Sequence, residues 1–258
     1  MPMENIERLR GRLAEDPVVE ISALVVVSDP GHPNVLRKEA ALYDGRTVYL
    51  VTRFVDGGEI FQWIADNGGA YSQGKVECVR NVFRQLVQGM KYTHSKGICH
   101  ADMSLENAMV DMAKEKAYII DYGMSLLMPI VLVDGNYRRR KSIADRRRAK
   151  ASYCSPETFK NKAYDGVKVD VFAAGAMLFM MLTGFPPFER AMRSDRSFRN
   201  VVWRGNVAEA MSQCGIHLFG EEAEDLEKAV DLLKKMMAYA PEDRILPEEA
   251  LRHPWLAP

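Results

Sequence analysis

The stretch that decides the fold is HADMSLEN at residues 100–107, together with DYG at residues 121–123. Between them lies the apolar run AYII, whose length and composition predict a short strand. Asp102, Asn107 and Asp121 thus follow one another with gaps of 5 and 14 residues. A single acid is usually a solvated surface residue or a helix cap, whereas this ordered set of acid, amide and acid is a specific pattern.

These two motifs resemble the catalytic loop and the metal-binding loop of protein kinases, H-R-D-x-x-x-x-N and D-F-G. The resemblance implies that Asp102 orients the attacking hydroxyl, and that Asn107 and Asp121 hold Mg²⁺ against the phosphates of ATP. ATP and Mg²⁺ are therefore the expected cofactors, and His100 is expected to have a structural role. With the segments below, the resemblance covers residues 18–258.

The segment LVTRFVDGGE at residues 50–59 resembles the hinge between the two lobes of a kinase. In that alignment Thr52 is the gatekeeper, Arg53 to Val55 face the adenine edge, and Glu59 meets the ribose or a basic substrate side chain. Glu20 is the candidate for the helix glutamate that pairs with a strand lysine, and a solvent-facing helix acid is the alternative. The expected nucleotide-binding residues are thus Thr52, Arg53, Phe54, Val55, Glu59 and Glu20.

Two further segments extend the resemblance toward the C-terminus. YCSPE at residues 153–157 resembles the A-P-E element that closes the activation segment, and PEDR at residues 241–244 contains the family's late arginine. The resemblance implies a structural ion pair between Glu157 and Arg244. It also implies that Asp170 holds the backbone of the catalytic loop.

The implied fold class is α+β, a protein kinase-like two-lobe fold with a truncated N-terminal lobe and a mainly helical C-terminal lobe. The expected domain bounds are 1–52 for the partial N-terminal lobe, 53–57 for the hinge and 58–258 for the C-terminal lobe. The activation segment is expected at 121–157. The cleft between the lobes is the expected nucleotide site.

Hydrophobic periodicity predicts the local elements. Val171 to Leu182 is apolar all round, which predicts a buried helix with Asp170 as the residue that caps its start. Residues 124–152 show little pattern and are rich in arginine, as in a functional or disordered loop. The other predicted elements are helices at 4–14, 18–28, 75–94, 222–238 and 246–252, and strands at 35–36, 47–52, 109–110 and 118–121.

The composition is that of an ordinary globular chain of 258 residues with no net charge, 47% apolar and 27% charged residues. No global electric field therefore points to nucleic acid or to a membrane. The longest apolar stretch, Val171 to Leu182, is too short to span a bilayer. The four cysteines lie far apart without a C-x-x-C pair, which favours a reducing, cytoplasmic setting and argues against a cysteine-based metal site.

Several cationic groups of the family are missing. No glycine-rich loop and no strand lysine precede the motifs, Ala101 replaces an arginine that receives a phosphorylated loop, and Ser104 replaces a lysine near the γ-phosphate. Loss of one preorganised charge donor typically lowers a rate by about 10²–10³-fold. Lys150 occupies a position where the family generally has threonine, and it could pair with Asp102 or approach a phosphate.

An arginine cluster lies inside the segment with little pattern, where eight positive charges fall between residues 138 and 150. One interpretation is a mobile, solvated loop; the other is an anion-binding loop that engages an acidic or phosphorylated protein partner. No nucleic acid is expected, since Tyr137 is the one aromatic that adjoins these charges. The arginines concerned are Arg138, Arg139, Arg140, Arg146, Arg147 and Arg148.

Three hypotheses follow for the function. The first is an enzyme, an ATP-dependent serine/threonine protein kinase whose hinge looks most like that of the calcium/calmodulin-dependent class. The second is a pseudokinase, a scaffold or binding module with impaired nucleotide binding, which the missing upper-lobe elements, Ser104 and Ala101 favour. The third is a fragment of a longer active kinase with a mis-assigned start. Nucleotide binding and phosphate transfer separate the first hypothesis from the second.

Overall fold

The computed structural model describes residues 17–70, 74–111, 115–128, 130–133, 136–139, 150–160, 162–217 and 221–257, with backbone alone for 130–133 and 136–139. The predicted helix at 4–14 lies outside these residues. The helices described are α1 (Pro17–Val27), α2 (Ile60–Asn67), α3 (Val76–Ser95), α4 (Gly166–Thr183), α5 (Arg196–Phe198, continued by a π-helix at Arg199–Trp203), α6 (Val207–Gln213), α7 (Glu221–Met236) and α8 (Pro247–Ala250). The strands described are β1 (Lys38–Tyr43), β2 (Val48–Thr52), β3 (Gly58–Glu59), β4 (Ile98–Cys99), β5 (Ala108–Asp111), β6 (Lys116–Ile119), β7 (Leu126–Leu127), β8 (Ile130–Val133) and β9 (Asn136–Arg139).

Helix α4 lies at the centre of the core because nearly its whole surface is apolar. All of its residues except Lys168 are buried. The helix ends at Gly184, whose φ of 82° is the left-handed conformation that glycine adopts without strain. Its start is capped by Asp165, whose carboxylate accepts a hydrogen bond from the Val167 amide at 3.0 Å. The prediction that Asp170 caps α4 is therefore wrong, because Asp170 lies a full turn inside the helix.

Helix α4 also has the length and hydropathy of a membrane span. It is 18 residues long, which is longer than the apolar stretch Val171 to Leu182 that was judged too short from the sequence. However, 94% of it is buried inside the protein. A buried core helix passes the same test of length and composition, so this burial favours a core helix.

Helix α3 confirms the helix predicted at 75–94 and packs against α4 and β6. Its apolar stripe, which includes Val79, Phe83, Leu86 and Met90, is buried. Where α3 contacts β6, the Gln85 side-chain oxygen accepts a hydrogen bond from the Ala117 amide at 3.1 Å. Helix α3 thereby fixes the strand that leads into the DYG motif.

Strands β1 and β2 form an antiparallel hairpin in the N-terminal part. The strand predicted at 47–52 is confirmed as β2, but its partner is β1 and not the predicted strand at 35–36. Val35 instead forms a parallel bridge with Ile119 of β6. Strand β1 could not be predicted from its pattern, because most of its side chains are exposed and the apolar alternation of a half-buried strand is lost.

The remaining strands surround the two motifs. Strands β3, β5 and β6 form one antiparallel sheet in that order, which confirms the strands predicted at 109–110 and 118–121. Strand β4 pairs with β7, and β8 pairs with β9. The expectation that residues 124–152 form a loop without pattern is thus wrong for β7, β8 and β9. Their strands are short, and two or four residues give no readable period.

Gly57→Ala is expected to lower the free energy of unfolding by about 1–3 kcal/mol, as overpacking typically does. A Cβ added at Gly57 would lie 1.6 Å from the carbonyl oxygen of Val110 in β5, so the turn into β3 would have to move. Gly58→Ala is the matched control, because a Cβ there meets nothing within 4 Å. Urea denaturation measures both variants. Equal losses would contradict a specific close approach at Gly57.

Candidate active site

The loop at residues 100–107 brings an acid and an amide into direct contact. The Asn107 side-chain nitrogen donates to the Asp102 carboxylate at 2.7 Å and to the Asp102 backbone carbonyl at 3.0 Å. Since both amide hydrogens are directed at Asp102, Oδ1 of Asn107 is the amide atom that could ligate a cation. The Ser104 hydroxyl oxygen accepts the Asn107 backbone N–H at 3.3 Å, which adds a contact within the loop.

Asp121 is held beside this loop through its neighbour Ile120. The His100 ring nitrogen Nε2 lies 2.9 Å from the Ile120 carbonyl oxygen. The Ile120 amide donates to the Asn107 carbonyl at 3.0 Å. The structure therefore brings Asp102, Asn107 and Asp121 to one site. This set is two acids and an amide; among the described residues, no group of three or more His, Cys, Asp or Glu is arranged to hold a metal ion.

Two residues of the site have a left-handed backbone, which is uncommon outside glycine. Ala101 has a φ of 63° and Asp121 a φ of 59°. Asp121 stabilises its own conformation by accepting the Gly123 amide on Oδ1 at 3.0 Å. Ala101 is held by its amide, which donates to Asp170 at 2.9 Å. Such backbone conformations concentrate at functional sites, where the surroundings impose them.

Asp170 fixes the catalytic loop from inside helix α4. Its carboxylate accepts the His100 and Ala101 amides at 2.8 and 2.9 Å and lies 2.8 Å from the His94 ring nitrogen Nε2. Burial by itself raises the pKa of Asp170. The hydrogen bond and charge of His94, with the charge and the amide of His100, outweigh burial, so the pKa is lowered. An ionised carboxylate thus holds the loop backbone at neutral pH.

Asp170→Asn is expected to destabilise the protein at about pH 7 and to lose this effect in acid. Since the folded-state pKa lies below the ordinary value of 3.8, the stabilisation is present above about pH 4 and disappears as the pH falls through the folded-state pKa. Urea denaturation at several pH values measures the difference from the wild type. The exposed Asp56→Asn provides the control. A difference for Asp170→Asn that stays constant with pH would contradict the assignment.

The Asp102 carboxyl group is buried, with 6% of the residue exposed. Burial raises its pKa and the charge of Asp121 adds to that effect, while the charges of His100 and Lys150 and the Asn107 hydrogen bond oppose it; the net pKa is raised. Within the described part of the chain, Oδ1 of Asp102 has no hydrogen-bond partner. A carboxylate with a raised pKa and one unpartnered oxygen is suited to accept a proton.

The end of the activation segment contacts the loop through Tyr153 and through Lys150, whose ammonium contacts Ser104 and Glu106. The Tyr153 hydroxyl donates to Glu106 Oε2 at 3.0 Å and accepts the Leu105 amide at 3.4 Å. Burial raises the pKa of Tyr153, so its hydroxyl remains a neutral donor. The Lys150 ammonium lies 3.4 Å from Ser104 Oγ and 3.5 Å from Glu106 Oε1. Glu106 gives no sequence signal, because it occupies a variable position of the motif.

Glu157 and Arg244 form the ion pair that the resemblance implies. The two guanidinium NH groups meet the two carboxylate oxygens at 2.5 and 2.8 Å, in a bidentate arrangement. Arg244 also donates to the carbonyls of Ala238 and Lys168, both at 2.8 Å, and lies 4.8 Å from the Phe172 ring centre. Because the Arg244 side chain is fully buried, this pair fixes the end of the activation segment to the core.

The residues of the predicted hinge have diverse environments. Thr52 ends β2 and is half-buried, Val55 is buried, and 83% of Phe54 is exposed. Arg53 lines a hollow of about 320 Å³ with residues 30–33, 35–37 and 39 and with Tyr118, and that lining does not include the three site residues above. Glu59 is exposed at the end of β3. Their contacts with a nucleotide stay predictions.

Glu20 lies in the first turn of α1 and is half-buried, and its pairing role also stays a prediction. For the arginine cluster, the backbone of two members belongs to β9. Those two are Arg138 and Arg139, whereas Arg140, Arg146, Arg147 and Arg148 lie outside the described residues.

Comparison with known proteins gives consistent results. A family model described as the protein kinase domain matches residues 6–256. CBL-interacting protein kinase 31 of Oryza sativa subsp. japonica is 34% identical over 178 residues, which cover 69% of this chain and 36% of that protein. The probable serine/threonine-protein kinase HSL1 of Saccharomyces cerevisiae is 29% identical over 232 residues, which cover 90% of this chain and 13% of that protein. The chain thus spans about a third or less of the length of these curated relatives.

A solved structure of Rad53 residues 1–466 in complex with AMP-PNP shares the fold. It aligns with a TM-score of 0.66 and 22% identity, covering 92% of this chain and 54% of that chain. The α+β fold with a mainly helical C-terminal part is therefore a protein kinase fold. Since the family model matches nearly the whole chain, this protein belongs to the protein kinase family, and several of its relatives are named as serine/threonine kinases.

Proposed function

We propose that this chain is a serine/threonine kinase domain that transfers the γ-phosphoryl group of ATP to a protein hydroxyl. Protein kinases in general use ATP with Mg²⁺ and act on protein substrates. The single observation that carries the proposal is the meeting of Asp102, Asn107 and Asp121, held by the bonds of His100 and Asn107 to Ile120.

The chemistry of the site fits this reaction. Oδ1 of Asp102 accepts the proton of the substrate hydroxyl while the hydroxyl oxygen bonds to the γ-phosphorus and the bond from that phosphorus to the β-phosphate oxygen breaks, releasing ADP. Asn107 Oδ1 and the Asp121 carboxylate are hard oxygen ligands of the kind that Mg²⁺ prefers. Mg²⁺, when bound, neutralises part of the phosphate charge. Asp102 thus orients the nucleophile, and the other two residues would hold the metal.

The test is transfer of labelled γ-phosphate from ATP to a protein substrate by the purified chain. The wild type is expected to transfer label and Asp102→Asn to lose most of that activity. Equal transfer by the two proteins would overturn the proposal. Melting curves of both proteins show whether the variant is folded.

A binding module without catalysis is the second candidate, and two observations favour it. The loop has Ser104 and Ala101 in place of cationic residues, and Phe54 of the predicted hinge is largely exposed. The two candidates differ in ligand stabilisation. A nucleotide at a hundredfold excess over its dissociation constant stabilises a protein by about 2.7 kcal/mol. A thermal shift with Mg²⁺-ATP supports the kinase, and its absence up to millimolar nucleotide supports the binding module.

We further propose that the protein works in the cytoplasm and that its arginine cluster engages acidic or phosphorylated segments of a protein partner. None of the four cysteines, all of which lie among the described residues, forms a disulfide, in keeping with a reducing compartment. The cluster would contribute charge-assisted hydrogen bonds to carboxylates or phosphates. Binding of a phosphoserine peptide that exceeds binding of its serine counterpart would support this role, and equal binding would contradict it.

A further inference from the structure

The catalytic loop lacks a cation of its own next to two acids. Residues 100–107 contain neither lysine nor arginine. Asp102 and Asp121 both contribute negative charge to the site, so a polyanionic phosphate placed there would be repelled. Preorganised cationic donors are the usual means by which such charge is stabilised during transfer. A donor from another segment would therefore be needed, in addition to any metal ion.

Lys150 reaches this loop from the end of the activation segment. Its ammonium contacts Ser104 Oγ at 3.4 Å and Glu106 Oε1 at 3.5 Å. Ser104 lies two residues after Asp102, and the positive charge of Lys150 acts on the Asp102 carboxyl, lowering its pKa against the effect of burial. The contacts of the ammonium with Ser104 and Glu106 therefore place the Lys150 charge at the loop that contains Asp102.

The backbone of Lys150 is fixed to the same loop. Its carbonyl accepts the amides of Tyr153 and Cys154 at 2.9 and 3.2 Å. Tyr153 is in turn bonded to Glu106 through its hydroxyl. These contacts fix the position of the Lys150 backbone relative to the loop, and the Lys150 side chain extends from there toward Ser104. Tyr153 therefore acts as a positioning residue.

The Lys150 side chain is held loosely at its tip. Both contacts of its ammonium exceed the usual hydrogen-bond range of about 2.7–3.2 Å, and 44% of the side chain is exposed. Glu106 keeps the Tyr153 hydroxyl as a partner when Lys150 moves. The ammonium can therefore turn to a new acceptor without leaving a buried charge unpaired.

We propose that Lys150 supplies the cationic contact to the γ-phosphoryl group that the catalytic loop lacks, a role that rests on the proposed kinase function. Its ammonium donates a hydrogen bond to a non-bridging oxygen of the transferred group and forms no covalent bond. In this arrangement the charge comes from the activation segment, and the loop position at Ser104 stays neutral. Phosphate transfer thereby depends on the placement of that segment.

Transfer rates of charge variants provide the first test. Lys150→Thr is expected to lower the rate by about 10²–10³-fold, and Lys150→Arg to retain much of it. The double variant Ser104→Lys/Lys150→Thr moves the charge onto the loop and is expected to recover most of the loss. Lys162→Ala, at an exposed lysine farther along the chain, is the matched control and should keep the wild-type rate. Because Ser104 is buried, melting curves establish which variants are folded.

Nucleotide binding provides a second test that needs no turnover. Lys150→Thr is expected to weaken binding of a non-hydrolysable ATP analogue by about 10–100-fold while leaving ADP binding unchanged, both measured with Mg²⁺ by calorimetry. If the wild type binds both nucleotides and Lys150→Thr shows the same ratio of the two affinities as the wild type, the role of Lys150 is overturned. The proposed kinase function would then still stand. A wild type that binds neither nucleotide would overturn the proposed function and this role together.

Discussion

Arg244→Met is expected to lower the free energy of unfolding by about 3–5 kcal/mol, the cost of breaking a buried ion pair by removing one partner. The substitution leaves the Glu157 carboxylate, whose side chain is 12% exposed, without its bidentate partner. It also leaves the carbonyls of Ala238 and Lys168 without the donor that they share. Methionine fills much of the arginine volume, so the loss reports unpaired polar groups more than an empty space.

Urea denaturation at neutral pH measures this loss, with Arg252→Met as the control at an exposed arginine. The double variant Glu157→Gln/Arg244→Met should be less destabilised than the sum of the two single variants, because no unpaired charge is left buried. A loss for Arg244→Met no larger than that of Arg252→Met would contradict the structural role of the pair.

Asp102→Asn is expected to slow phosphate transfer by about 10²–10⁴-fold, the usual contribution of a positioned proton acceptor. The same variant is expected to melt at a higher temperature than the wild type. The pKa of Asp102 is raised in the folded state, so its ionised form is disfavoured there and costs stability at neutral pH. Asparagine removes the charge and keeps a side-chain oxygen that can accept from Asn107.

The pH dependence separates this explanation from a general effect of the substitution. The penalty from Asp102 develops as the pH rises from 3.8 toward the folded-state pKa and is constant above it. The gain in melting temperature should therefore be present at about pH 7 and vanish in acid below about pH 3.8. A lower melting temperature for Asp102→Asn at neutral pH would contradict the electrostatic cost assigned to Asp102.

Long, regular elements could be predicted from the sequence, and short or exposed ones could not. Helices α3 and α4 could be predicted because burial of one face, or of the whole surface, leaves a hydrophobic pattern over many residues. Strand β1 leaves none, since it is mostly exposed. The placement of Asp170 illustrates a further limit: an acid at the edge of an apolar run looks like a cap, and only the structure reveals that Asp165 caps the helix.

For the candidate site, spacing within a motif was informative, whereas contacts between distant segments could be predicted only where the family resemblance implied them, as for Glu157 with Arg244. The grouping of Asp102 with Asn107 follows from a gap of five residues within one loop. The contacts of Tyr153 and Lys150 with the loop join residues that are more than forty positions apart, and their side chains are of common types. Such contacts depend on packing of the whole domain, which no local pattern records.

The bonds to Ile120 have one more implication. Because His100 and Asn107 hydrogen-bond to the peptide groups on either side of that residue, folding alone positions Asp121 beside the loop of Asp102, and the proposed nucleotide would bind a preformed site. Association should then lack the slow kinetic phase that accompanies remodelling of a disordered pocket. The rate of nucleotide binding would then depend on the backbone hydrogen bonds at Ile120.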